Sequence, residues 1–170
     1  AAPTLRPMHD LRPIGYVLGI LIAGLGAAML VPLGADLLAG DDHWLTFLEC
    51  AVLTATTGGA LALACANGLG RGLSLQQAFL VTTGVWVAMP LFGALPFMLG
   101  APGAGFTDAV FEAMSGVTTT GATVFVGLDA LPLGTNLWRG ILQWLGGLGI
   151  IVLAMVFLPV MKVGGMQYFR

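Results

Sequence analysis

Residues 106–125 read FTDAVFEAMSGVTTTGATVF, and the two halves of this segment favour different backbone conformations. The first half predicts a helix that Thr107 caps, that Asp108 stabilises at its positive N-terminus and that Gly116 ends. At about ten residues this helix is roughly 15 Å long, half the thickness of the hydrocarbon layer of a membrane. The second half holds four β-branched threonines around Gly121, which disfavour a helix. We therefore expect a short helix followed by extended chain.

The composition places this segment in a membrane protein. Of the 170 residues, 58% are apolar and only 8% are charged, and the mean hydropathy is +0.96. A soluble domain carries roughly 25% charged residues, so a water-soluble globule is excluded. Disorder is excluded too, because disordered chains are polar or highly charged. The net charge of −2 gives no reason to expect nucleic acid, so the expected surroundings are the lipid bilayer.

Four segments are long and apolar enough to cross a bilayer as helices. The third begins with Ser-Leu-Gln-Gln at residues 74–77, a capping-box pattern that starts a helix. Pro90 and Pro96 predict kinks within this third segment. The four predicted spans cover residues 13–34, 44–66, 74–99 and 137–160.

The charged residues predict how these spans are oriented, because basic residues concentrate on the cytoplasmic side. We place the N-terminus in the cytoplasm and assume that the segment around residues 106–125 enters and leaves the membrane on the outer side. Of the basic residues, only Arg139 then lies outside. Both ends of this chain are then cytoplasmic. The basic residues placed inside are Arg6, Arg12, Arg71, Lys162 and Arg170, and the acidic residues placed outside are Asp36, Asp41, Asp42, Asp108 and Asp129.

Extended backbone at membrane depth is allowed only where protein or water satisfies its polar groups. A half-helix followed by extended chain is the construction of a re-entrant pore loop, whose carbonyl oxygens replace the hydration shell of a cation. We therefore predict ion-binding positions at Val117, Thr118, Thr119, Thr120 and Gly121. The predicted chemistry is dehydration and conduction of a monovalent cation, without catalysis of a reaction. An external loop rich in threonine and glycine is the alternative.

Three acidic residues are candidates for supporting such a pore. Glu112 lies one turn after Asp108, and we expect it to bond backbone N–H groups behind the filter and to add negative potential. A position among the lipid headgroups is the alternative for Glu112. Asp108 and Asp129 are candidates for an outer acidic mouth that concentrates cations. Ordinary solvated loop charge explains these two residues equally well.

Three blocks of sequence resemble the Trk-type potassium uptake proteins of the TrkH/Ktr/HKT superfamily. They read FEAMSGVTTTGAT at residues 111–123, LQWLGGLGIIVLA at 142–154 and VGGMQ at 163–167. The blocks follow the order and spacing of the family. The close resemblance covers the chain from Ser74 to its end, whereas the first two spans fit only by position and hydropathy.

The resemblance implies four helix–pore loop–helix repeats around one pore, each with one critical filter glycine. Gly121 matches that glycine, and residues 118–120 match the strand before it. In the related plant HKT transporters, glycine rather than serine at this position is associated with potassium permeation, so the resemblance implies that Gly121 favours potassium, with some passage of sodium. The resemblance also implies a homodimer in the bacterial cytoplasmic membrane, regulated by a cytoplasmic nucleotide-binding subunit similar to TrkA. The resemblance further implies K⁺ as the transported ion, and no covalent cofactor is expected.

The predicted fold class is therefore an all-α membrane protein. Residues 1–72 form an N-terminal transmembrane hairpin, and residues 73–170 form one helix–re-entrant pore loop–helix repeat. We expect the chain to be the N-terminal part of a longer protein that supplies the remaining pore repeats. Two alternatives stay open: a subunit of a homotetrameric cation channel, and a non-conducting membrane scaffold.

Overall fold

The computed structural model describes residues 11–68 and 73–160. Within these ranges it contains seven α-helices and no β-strand. Arg6, Arg71, Lys162, Arg170 and the motif at residues 163–167 lie outside the described residues. In chain order the helices are α1 (Arg12–Ala28), α2 (Leu30–Ala39), α3 (Trp44–Ala64), α4 (Leu75–Gly93), α5 (Leu95–Leu99), α6 (Phe106–Val117) and α7 (Leu133–Val160).

The four predicted spans are confirmed in number and order among the described residues. The third begins as the capping box predicts, since Ser74 Oγ accepts the Gln77 N–H at 3.2 Å and Gln77 Oε1 accepts the Ser74 N–H at 2.9 Å. The first span is longer than predicted, because α2 continues it beyond a break at Met29. The helical segments long and apolar enough to cross a membrane are Arg12–Ala39, Trp44–Ala64, Gln76–Leu99 and Leu133–Met155.

Helices α1 and α3 approach each other at glycines. A side chain at Gly19 or Gly26 would overlap backbone atoms of α3, and one at Gly58 would overlap backbone atoms of α1. Small residues of this kind allow the backbones of membrane helices to come into direct contact. The two helices therefore pack as a tight hairpin, in which α1 also contacts α4 and α3 also contacts α5.

Asp36 is buried in α2, although the sequence analysis places it among the outer charges. Its side chain is fully inaccessible to solvent, and its Oδ1 accepts the Gly134 N–H at 2.5 Å. Gly134 lies in the first turn of α7, where backbone N–H groups have no partner within the helix. A side chain at Gly134 would overlap the Asp36 carboxylate. Asp36 thus joins the N-terminal hairpin to the start of α7.

The third span is interrupted at Ala94, between α4 and α5. Pro90 lies inside α4 and Pro96 in the first turn of α5, which confirms that the prolines disturb this span. The Gly93 carbonyl at the end of α4 accepts a hydrogen bond of 2.9 Å from the indole nitrogen of Trp138. Trp138 is fully buried. The interruption is therefore stabilised by a side chain from α7.

The hydrophobic core surrounds α6. This helix packs against α4, α5 and α7, and it buries Ala109 and Ala113 completely. Around them lie Phe97 of α5 and Trp138 and Leu142 of α7. Because the small side chains of α6 face these larger ones, the short helix is held within the helical assembly, which fixes the position of its C-terminal end.

We expect Gly58→Ala to destabilise the protein and Gly59→Ala to leave its stability unchanged or slightly higher. A methyl group at Gly58 meets the backbone of α1, and such overpacking costs about 1–3 kcal/mol. At Gly59 nothing lies within 4 Å of the added methyl group, and alanine favours a helix by up to about 1 kcal/mol. The measurement is the apparent melting temperature of the protein in detergent. Equal melting temperatures for the two variants would contradict the close approach of α1 and α3.

Candidate functional site

The short helix predicted in residues 106–125 is present as α6, but its ends differ from the prediction. It has twelve residues, about 18 Å. Gly105 is the N-cap residue, and Thr107 lies inside the first turn without capping it. Gly116 does not end the helix, which continues to Val117. A side chain at Gly116 would instead contact Leu142 of α7 at 3.0 Å, so glycine allows close packing of the two helices there.

The chain after α6 turns sharply, and its N–H groups point back to the end of the helix. The N–H groups of Thr118 and Thr119 bond the carbonyls of Met114 and Gly116, both at 2.8 Å. Those of Thr120 and Gly121 bond the carbonyl of Ser115, at 3.0 and 3.4 Å. The donors of this turn are thus satisfied by the carbonyl groups that the last turn of a helix leaves without a partner.

The backbone of this turn has a positive φ at every second residue. The φ angle is 58° at Thr119 and 75° at Gly121. Glycine adopts such angles without strain, whereas a β-branched residue does so only where the surrounding structure imposes it. Strained residues of this kind concentrate at functional sites. Thr119 is therefore an independent indication that this turn has a function.

The carbonyl oxygens of residues 118–121 accept no hydrogen bond from any residue that the structure describes. Residues 119–121 are exposed and Thr118 is half-buried. The Thr118 hydroxyl bonds the Met114 carbonyl and the Thr120 hydroxyl, both at 2.8 Å. The oxygens left for a ligand are therefore mainly those of the backbone. Such a row of oxygens suits an alkali cation that loses its hydration shell.

Val117 lies apart from this exposed row. It is the last residue of α6 and is only 2% exposed. Its carbonyl oxygen lies so close to Gly146 of α7 that a side chain at position 146 would overlap it. The structure thus brings together four of the five predicted ion-binding residues and places the fifth at the helix end beneath them.

Ser115 organises the turn and was not among the residues predicted for the site. Besides accepting two N–H groups through its carbonyl, it donates its hydroxyl to the Ala122 carbonyl at 2.6 Å. Its side chain is buried. The available signal was a hydroxyl residue among the apolar ones, three positions before the threonine run.

Glu112 is 3% exposed and accepts three hydrogen bonds. Its Oε2 accepts from the Thr123 hydroxyl at 2.9 Å and from the Val124 N–H at 3.1 Å. Its Oε1 pairs with Arg139 Nε at 2.6 Å. The expected bond to a backbone N–H is thus present at Val124, whereas the added negative potential stays a prediction. Arg139 was treated in the sequence analysis only as an outer charge.

Asp108 and Asp129 are both exposed. Asp108 lies in the first turn of α6, and Asp129 lies in a single 3₁₀ turn before α7. An acidic mouth formed by these two residues stays a prediction. Residues 11–68 and 73–160 contain no group of three His, Cys, Asp or Glu side chains that could hold a metal ion.

Comparison with known proteins assigns the chain to a family. Residues 44–170 match the family TrkH, described as cation transport protein. The chain belongs to the TrkH family. The resemblance found in the sequence is thereby confirmed, and so is the all-α membrane fold, because the four spans and the family agree. The protein is an integral membrane protein.

Relatives in this family are named as potassium transport proteins. The Trk system potassium uptake protein TrkH of Halomonas elongata is 42% identical over 162 residues, which is 95% of this chain and 33% of that protein. The protein of the same name from Escherichia coli (strain K12) is 38% identical over 164 residues, 96% of this chain and 34% of the relative. The chain thus spans about one third of the length of these relatives.

A solved structure supports the fold directly. The crystal structure of the potassium transporter TrkH from Vibrio parahaemolyticus matches with a TM-score of 0.82 and 36% sequence identity. The match covers 93% of this chain and 34% of that chain.

We expect Thr119→Gly to keep or raise the apparent melting temperature, and Thr120→Gly to lower it. Glycine adopts the left-handed conformation at position 119 without strain. After allowance for the larger entropy that glycine loses on folding, the free energy of unfolding should rise by about 1 kcal/mol. Thr120 has no positive φ, so glycine there brings no relief and removes the bond to the Thr118 hydroxyl. Both side chains are exposed, which makes the pair a matched comparison. A lower melting temperature for Thr119→Gly than for Thr120→Gly would contradict the strained turn.

Proposed function

We propose that the protein takes up potassium through a pore and that residues 118–121 form one of its filter strands. One observation carries this proposal. The carbonyl oxygens of residues 118–121 have no hydrogen-bond partner among the described residues, and they follow the end of a short helix in a membrane protein. Alternating positive φ angles turn successive peptide groups so that their oxygens can face one ion path. Oxygens in such an arrangement replace the water that a cation loses.

The electrostatics of α6 support a cation rather than an anion. The C-terminal end of a helix carries a partial negative charge, and the proposed filter follows this end directly. Val117, whose carbonyl is covered by α7, bounds the filter on the helix side. Asp108 and Asp129 are exposed, and at an outer mouth they would raise the local cation concentration.

Potassium is proposed as the ion because the relatives named above are potassium uptake proteins. Gly121 agrees with this choice, because the resemblance associates glycine at this position with potassium permeation. Transport by this route breaks no covalent bond, so we assign no catalytic residue and no covalent cofactor.

We further propose the architecture in which this filter strand acts. Residues 1–72 form an N-terminal hairpin and residues 73–170 form one helix–re-entrant pore loop–helix repeat, which supplies one quarter of a pore completed by further repeats of a longer chain. The complete protein forms a homodimer in the bacterial cytoplasmic membrane, with both ends of this chain in the cytoplasm and with a TrkA-like regulatory subunit. The relatives are about three times as long as this chain, which supports only the part of this proposal in which further repeats complete the pore.

Gly121→Ser tests the filter, and Gly127→Ser is its matched control. Both glycines have a positive φ, 75° and 72°, and nothing lies within 4 Å of an added side chain at either position. The two substitutions therefore cause similar backbone strain, but only the first lies in the proposed filter. We expect Gly121→Ser to reduce discrimination between K⁺ and Na⁺ by about tenfold, or ~1.4 kcal/mol, and Gly127→Ser to leave it unchanged.

The measurement is the uptake of K⁺ and Na⁺ by the full-length protein in a bacterium that lacks its own potassium uptake systems, at matched protein levels in the membrane. Unchanged uptake and unchanged ion preference in Gly121→Ser would refute the filter. Equal defects in both variants would indicate a general effect of strain and would also count against the proposal.

A further inference from the structure

The short helix, the chain after the proposed filter and the long helix α7 meet at one buried carboxylate, that of Glu112. One oxygen accepts from the side chain of Thr123 and the backbone of Val124, and the other pairs with Arg139. Thr123 Oγ1 in turn accepts the Phe125 N–H at 3.1 Å. The carboxylate therefore holds three consecutive residues of the chain that follows the filter, two of them directly.

Arg139 is the part of this network that belongs to α7. Its side chain is 17% exposed and that of Glu112 only 2%, so the pair is shielded from solvent. Removing one partner of a buried ion pair leaves an uncompensated charge, which is costly. Because Arg139 Nε lies 2.6 Å from Glu112 Oε1, the ion pair fixes the carboxylate relative to α7, and this geometric role can be tested separately from the predicted negative potential.

Arg139 belongs to a stripe along α7 that faces α6. Leu142 and Gly146 follow it at three and seven residues, a spacing that places all three on one side of a helix. Leu142 is buried against Gly116, and Gly146 lies against the Val117 carbonyl. The stripe thus contacts α6 just before the proposed filter and, through Arg139 and Glu112, holds the chain just after it.

A second anchor joins α6 to the chain that follows it and does not involve α7. The Ser115 hydroxyl holds the Ala122 carbonyl, and both residues belong to the short helix and its following turn. Among the described residues, the Asn136 side chain of α7 bonds the Leu128 carbonyl at 2.8 Å, and the charged side chain of Arg139 bonds Glu112, which holds the residues directly after the filter. Arg139 therefore fixes the residues directly after the filter, Thr123 and Val124, relative to α7.

We propose that Arg139 is a positioning residue that, through Glu112, fixes the chain after the filter and thereby sets the discrimination between potassium and sodium. This inference rests on the proposed function, because it needs residues 118–121 to be a filter. The planar guanidinium group binds through Nε, and a lysine ammonium group cannot reproduce this geometry. Geometry and charge can therefore be separated by substitution.

The test compares Arg139→Lys with Gly140→Ala in the full-length protein. Arg139→Lys keeps the positive charge but loses the planar group, and we expect about tenfold weaker discrimination between K⁺ and Na⁺, the size of effect seen when outer residues that orient ion ligands are changed. Gly140 is the next residue in α7, and nothing lies within 4 Å of an added methyl group there. We expect Gly140→Ala to keep the original ion preference. Uptake and amount in the membrane are measured for each.

A double variant, Glu112→Gln with Arg139→Gln, keeps the test decisive if Arg139→Lys does not fold. It removes both charges and so leaves no unpaired buried charge, yet it also removes the charged connection to α7. We expect it to reach the membrane and to show the same weakened discrimination. An original ion preference in the double variant, or in a folded Arg139→Lys, would overturn the inference.

The outcome for Gly121→Ser separates this inference from the proposed function. If Gly121→Ser changes the ion preference and the Arg139 variants do not, the filter stands and the positioning role is wrong. If Gly121→Ser also has no effect, the filter itself is wrong.

Discussion

A peptide group inside a membrane has no water to bond, so every departure from helix must find its own partners. The chain meets this requirement on one side of the turn after α6. The N–H groups of residues 118–121 bond the last carbonyls of α6, and that of Val124 bonds Glu112. Among the described residues, nothing donates a hydrogen bond to the carbonyl oxygens of residues 118–121, which are therefore available to water or a cation. The turn thus suits a hydrated or ion-binding position, and this requirement links its conformation to the proposed transport.

The remaining helices hold this turn in place. Small residues let them come close: Gly58 allows the contact of α1 with α3, and Gly146 allows α7 to reach the carbonyl of Val117. Polar side chains then fix the helix ends, as Asp36 does for α7 and Trp138 does for the interruption after α4. The strain at Thr119 is sustained by this surrounding structure, because an isolated turn with a β-branched residue at φ 58° would relax.

Features that depend on local sequence were predicted well. Hydropathy predicted the four spans, the capping box at Ser74 predicted the start of α4, and the change from apolar residues to threonines predicted a short helix, although that helix ends at Val117 and not at Gly116. The cap at Thr107 was wrong because the helix begins two residues earlier than predicted, with Gly105 as its N-cap residue and Phe106 as its first residue. The bonds of Asp36 to Gly134 and of Glu112 to Arg139 join residues 98 and 27 positions apart. Periodicity identifies the apolar face of a helix but not the partner of a polar group on it.

The contact between Asp36 and Gly134 has a consequence for how the family can vary. The carboxylate fills the space that a side chain at position 134 would need, so two positions far apart in the chain share one small volume. A relative that carries alanine at position 134 needs a shorter residue at position 36, or its α2 must lie further from α7. Substitutions at these two positions are therefore expected to occur together during evolution, as a compensated pair rather than as independent events.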